Sequence, residues 1–82
     1  MDEPRKREHR VVPIRDETIR LGQFLKLADL VDHGSDAKPL LADGRVLVNG
    51  EVETRRGSQL GRGDLVTVLG ERGGEGDSAQ VG

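Results

Sequence analysis

The sequence predicts an α+β fold, with two short helices packed on a small antiparallel sheet in the order (β)-α-α-β-β-β. Three observations predict it. Arg45-Val46-Leu47-Val48-Asn49-Gly50-Glu51-Val52 places Asn-Gly between alternating apolar residues, the strongest short-range hairpin signal, because both turn residues accept positive φ cheaply. Leu21, Phe24, Leu25 and Ala28 recur at i, i+3, i+4 and i+7, one stripe of a helix. Leu65-Val66-Thr67-Val68-Leu69 is a β-branched run that suits a final strand.

Taken in order, Val11-Val12-Pro13-Ile14 reads as a short strand with Pro13 at an edge or end, since proline donates no hydrogen bond to a ladder. Leu21 to Val31 reads as the first helix, its stripe widened by Leu27, Leu30 and Val31, with Gln23, Lys26 and Asp29 towards solvent. Gly22 in its first turn lowers helix stability by up to about 1 kcal/mol relative to Ala. It reads as tolerance near a helix end rather than as a close approach of another backbone. Asp32-His33-Gly34 breaks the helix, and Ser35 is an N-cap for a second one from Asp36 to Ala42. Pro39 falls in its first turn, where a missing N–H does little harm. Ala37, Leu40 and Leu41 give its apolar face, and Gly44 suits its left-handed C-terminal cap. In the hairpin that follows, Val46, Val48 and Val52 are expected on one face, with Leu47 and Glu51 on the other. Gln59 to Asp64 reads as a turn-rich link to the last strand.

Composition bounds what such a chain does. Its 82 residues allow one domain. Residues 1–10 form a charged arm and residues 70–82 a glycine-rich tail, both too poor in apolar residues to offset the entropy of ordering. Residues 11–69 are left as the domain, a size that is marginal without a good core. Without cysteine there is neither disulfide nor thiolate metal site. No apolar run reaches a membrane span and no apolar leader opens the chain, so a soluble cytoplasmic monomer is expected. The formal net charge is −2; residues 14–69 carry eight Lys/Arg against nine Asp/Glu. A near-neutral body binds phosphate only if its cations gather on one face.

The run Ile19-Arg20-Leu21-Gly22-Gln23-Phe24-Leu25-Lys26-Leu27-Ala28, with Ala37-Lys38, Gly44-Arg45-Val46-Leu47-Val48-Asn49-Gly50, Val52-Glu53-Thr54-Arg55-Arg56-Gly57 and Gly63-Asp64, resembles the alpha-L RNA-binding motif, the domain named for ribosomal protein S-four. The likeness spans residues 14–69 and is greatest to small stand-alone bacterial members. It implies non-catalytic binding of structured RNA, ribosomal or transfer RNA, with the ribosome as a partner and no cofactor. On the matching positions it implies RNA contacts from Lys26, Lys38, Arg45 and Asn49. Where many members carry Ser-Arg before the second helix, this chain has His33-Gly34-Ser35, which removes one phosphate contact.

The residues extend that site. Gly34 and Ser35 at a helix start allow close approach of an anion, although Asp36 opposes it. Arg55 and Arg56 place two planar guanidinium forks at a strand end, suited to phosphate oxygens. Phe24, the one aromatic residue, lies on the core stripe, so bases have no stacking platform. Recognition by phosphate and shape remains. Roughly four to six phosphate contacts would give a salt slope of roughly −3 to −5.

Catalysis is not expected. His33 with Asp32 and Asp36 fits no standard metal spacing and reads as a solvated turn; Ser35 and Ser58 lack a partnered base. Gly61-Arg62-Gly63 and Gly73-Gly74 are too short for a phosphate loop. Nor does Gly73-Gly74 suit a ubiquitin-like sulfur carrier, which needs a terminal diglycine. The competing reading is a small protein–protein interaction module without RNA affinity, docking through the helix face of Gln23 and Asp29.

Overall fold

Residues 10–31, 37–70 and 76–82 are described by the structure, a computed structural model of the 82-residue chain. Its elements are β1 (Arg10–Val12), β2 (Thr18–Arg20), α1 (Leu21–Leu27), α2 (Ala37–Ala42), β3 (Val46–Val48), β4 (Glu51–Val52), β5 (Gln59–Gly61), β6 (Leu65–Val68) and β7 (Asp77–Val81). The α+β class holds, with two helices and a mostly antiparallel sheet. The element order is richer than the sequence suggested. A five-stranded sheet runs β1-β7-β6-β3-β4, and β2 pairs antiparallel with β5 as a separate ribbon.

The hairpin forms where Asn49 and Gly50 take φ of 53° and 87°, the twist a two-residue turn needs. Its faces differ from expectation. Val48 stands opposite Glu51 and Leu47 opposite Val52, and opposed residues share a face. Val52 therefore joins Leu47 on the outer side, 56% exposed, while Val46 points into the core. Counting alternation straight through the turn loses the parity that the two loop residues reset.

The first helix stops sooner than the apolar stripe does. Asp29 adopts a left-handed φ of 62°; its N–H donates to the Lys26 carbonyl at 3.1 Å and that of Leu30 to the Leu25 carbonyl at 2.8 Å, the paired bonds of a Schellman cap. Leu30 and Val31 still pack on the core from beyond the helix, whereas Leu27 is 52% exposed. The second helix ends in the same way at Gly44, with Arg45 N–H on the Leu40 carbonyl at 3.0 Å. Ser35 and Asp36, its expected cap and first residue, lie outside the described residues.

Three stretches that the sequence did not mark as strands are strands, among them Gln59–Gly61, read above as part of a turn-rich link. Thr18–Arg20 pairs with Gln59–Gly61, with Ile19 opposite Leu60. Asp77–Val81, assigned to a disordered tail, lies inside the sheet between β6, antiparallel, and β1, parallel. Ala79 and Val81 are fully buried there. Two apolar residues at period two are a weak signal in a polar segment, yet they suffice where both neighbours supply hydrogen bonds. Between these strands Thr67 and Ser78 stand opposite each other, their hydroxyls 2.9 Å apart. Pro13 follows β1 directly, consistent with its place at a strand end.

One core results: Leu21, Phe24, Leu25, Ala28 and Val31 from the first helix and its exit, Ala37 and Leu41 from the second, Leu60 from the ribbon, and Val46, Val66, Ala79 and Val81 from the sheet. Leu25→Ala is expected to lower stability by about 2–5 kcal/mol through the cavity it leaves. In a domain this small the loss is visible as a collapse of the far-UV helix signal near room temperature.

Candidate nucleic-acid interface

The site is built on the start of α1. The first N–H groups of a helix have no partner within it; here the loop after β4 supplies them. Leu21 N–H donates to the Ser58 carbonyl at 2.8 Å and Gly22 N–H to the Arg56 carbonyl at 2.9 Å. The sequence reading of Gly22 as simple tolerance is corrected by this contact. A methyl group on Gly22 would lie 2.4 Å from Cγ and 2.9 Å from Cδ of Arg56, well inside van der Waals distance. Glycine is there so that the Arg56 chain can cross the helix.

The exposed side of α1 and this loop enclose a groove of about 790 Å³. Gly22 and Gly57 form bare parts of its lining, Arg20, Lys26 and Arg56 bring three positive charges, Gln23 adds an amide, and Leu27 closes one edge. None of the described carboxylates lines it. Gly22, Gln23, Lys26 and Leu27 follow as i, i+1, i+4 and i+5, the helix side opposite the buried stripe. A concave surface of one sign concentrates the field and attracts anions.

The structure thus brings two of the sequence-predicted residues, Lys26 and Arg56, together with Arg20 and Gln23, which sequence reasoning had not singled out as contacts. Arg20 precedes a core leucine at the start of the helix, a signal visible only once the loop is known to fold back there. The others lie elsewhere. Lys38 is exposed on α2 and does not line the groove. Arg45 donates from Nε and Nη2 to the Leu69 carbonyl at 3.2 and 3.0 Å. Asn49 donates from Nδ2 to Asp64 Oδ1 at 3.1 Å and accepts the Leu65 N–H at 3.0 Å. Asp64 also accepts the Gly61 N–H at 2.8 Å, so the Asn-Gly and Gly-Asp turns are tied together. Gly34, Ser35 and the His33 cluster lie outside the described residues.

Arg55 is 81% exposed and pairs with Glu53, Nε to Oε2 at 3.3 Å, the one ion pair among the described residues. Glu53 Oε2 also accepts the Arg55 backbone N–H at 3.0 Å. That N–H, followed by the guanidinium, holds the Glu53 carboxyl below the usual carboxylate range. Among the described residues, no group of three or more His, Cys, Asp or Glu could hold a metal, and no helix is long and apolar enough to cross a membrane.

A small α+β domain with a cationic groove along its first helix is the class that these features define. The family model for the S4 domain matches residues 12–73, and the chain belongs to that family. The match runs from the end of β1 past β6 and leaves β7 outside. Among characterised bacterial proteins, the chain is similar to the probable ribosome maturation protein RlbA of Bacillus subtilis (strain 168), 49% identical over 59 residues, which is 72% of this chain and 83% of the relative.

The pairing of Glu53 has a measurable sign. Its depressed folded-state pKa contributes stability above the ordinary carboxyl pKa, and that contribution is lost as the pH falls through the folded value. In Arg55→Ala the Glu53 carboxyl resonance should titrate at higher pH than in the parent but still below the usual range, because the backbone donor survives. An unshifted titration in the variant would show that the guanidinium plays no part.

Proposed function

We propose that the chain is a non-catalytic RNA-binding protein that takes structured RNA by its phosphates and shape, with the groove of Arg20, Lys26 and Arg56 as the primary phosphate site. The observation that carries this reading is the gathering of three cations, with none of the described carboxylates beside them in the lining, in a chain whose overall charge is slightly negative. Guanidinium forks and an ammonium suit the phosphate oxygens of one strand. Phe24 is wholly buried, so recognition by base stacking has no aromatic platform, and contact with an A-form backbone is the mode left to such a surface. Membership of the S4 domain family supports RNA as the ligand. The relative's name, a ribosome maturation protein, supports ribosomal RNA or a ribosomal particle as the target, and hence a cytoplasmic site of action. Arg55, next along the chain, extends the positive edge, weakened by Glu53. Lys38, exposed on α2, is a further contact for a longer RNA, as are Gly34 and Ser35 by residue type, while Arg45 and Asn49 act by tying the two ends of β3 to the residues flanking β6.

Three phosphate contacts correspond to a salt slope of roughly −2 to −3 in log affinity against log salt. Filter binding to ribosomal RNA fragments across a salt series tests this. Arg56→Glu should weaken binding by tenfold or more and flatten the slope by about one or more, with the fold retained. Binding by Arg56→Glu and Arg20→Glu equal to the parent would overturn the groove as the site. Gly22→Ala gives an independent check. Its helix propensity improves by up to about 1 kcal/mol, so stability should hold within about that amount, yet the displaced Arg56 side chain should reduce RNA affinity several-fold.

A further inference from the structure

The phosphate groove does not end at Leu27. A second groove of about 320 Å³ continues past it, and both Gln23 and Leu27 line the two. Its chemistry differs. Here Ile14 and Ile19 supply apolar walls, and Asp16, Thr18 and Arg15 supply a carboxylate, a hydroxyl and a single cation. A carboxylate repels phosphate, so this part of the cleft is not a second phosphate site. It is matched to a neutral group that has a hydroxyl to donate and an apolar face to bury, one step along the same strand from a phosphate. That group is a ribose.

Resting on the RNA-binding reading above, we propose that the second groove holds a ribose adjoining the bound phosphate and that Asp16 and Gln23 select RNA over DNA through the 2′-hydroxyl. The carboxylate of Asp16 accepts the hydroxyl proton, a charge-assisted bond of the stronger kind. Gln23 stands between the two grooves. Its Oε1 faces the backbone N–H of Arg20 at 3.4 Å, which leaves its NH2 as the donor for the hydroxyl oxygen or the neighbouring phosphate. Leu27, half exposed on a helix whose other leucines are buried, packs against the apolar face of the sugar. This places a large exposed apolar residue and a groove carboxylate in one binding surface, and it gives RNA selectivity without reading any base. Asp16 is exposed, so without the hydroxyl it keeps its water, and the discrimination is the net value of one charge-assisted hydrogen bond.

The test uses the ribosomal RNA fragment that the full chain binds most tightly, a copy of the same sequence with 2′-fluoro in place of every 2′-hydroxyl, which keeps the A-form and removes only the donor, and fluorescence anisotropy at fixed salt. The parent should prefer RNA by about tenfold, the effect of one hydrogen bond to a charged group. In Asp16→Ala and in Asp16→Ala/Gln23→Ala the ratio of affinities for the RNA and its 2′-fluoro copy should fall towards one, while the salt slope set by Arg20, Lys26 and Arg56 stays within about half a unit of the parent. Asp16 and Gln23 are exposed, and unchanged thermal unfolding of both variants establishes that folding is not the cause. A ratio that persists in the double variant overturns the ribose site and leaves the phosphate groove standing. Loss of salt-dependent binding in Arg56→Glu with the ratio intact in Asp16→Ala assigns the cleft to phosphate alone. A parent that binds neither nucleic acid removes the groove and the ribose site together.

Discussion

Two hydrogen bonds from the first turn of α1 to the loop after β4 hold the candidate site together. They satisfy donors that a seven-residue helix leaves open, and they do so with the carbonyls of Arg56 and Ser58 rather than with a side-chain cap. The missing side chain at Gly22 leaves room for the Arg56 side chain to cross the helix. Because the loop is fixed by its main chain, the Arg56 side chain is aimed by geometry and not by an ionic partner. The helix start is also no longer an open anion site, since its leading N–H groups are occupied; the positive field there comes from side chains.

The near-neutral charge of the chain stops being an objection once the cations are sorted by what they touch. Arg10 reaches the Ala28 carbonyl at the exit of α1, Arg45 holds Leu69, Arg62 donates to the Ile14 carbonyl at 3.3 Å, and Arg55 faces Glu53. These guanidinium groups are engaged in contacts within the fold. Arg20, Lys26 and Arg56 have no such partner among the described residues and share one groove. Net charge counts both sets alike, so it predicts neither the presence nor the position of the free set.

Much of the fold was legible where local physics decides it. Asn49-Gly50 set its turn, the i, i+3, i+4, i+7 stripe set α1, and Gly44 capped α2. The misses share a cause. Asp29 ended a helix that the leucine stripe would have continued, because a short polar side chain tolerates the left-handed region where the pattern of apolar residues is silent. Thr18–Arg20 and Asp77–Val81 are strands because of what lies beside them, and no period within so few residues reveals which other segment will be the partner. For the site, Lys26 and Arg56 were found from residue type and family likeness. Arg20 and Gln23 needed the loop in place.

The parallel pairing of Arg10–Val12 with Ala79–Val81 joins residues roughly seventy positions apart, and closing so long an interval delays assembly more than it weakens the finished sheet. The groove, by contrast, is drawn from residues 20–57, whose contacts are nearer in the chain. Its elements therefore emerge from synthesis, and can associate, before the middle of the main sheet has received its final strand. Until then Val66 borders a gap rather than a neighbour, which makes the late arrival of Ala79 and Val81 the step that protects the nascent domain from pairing with another polypeptide.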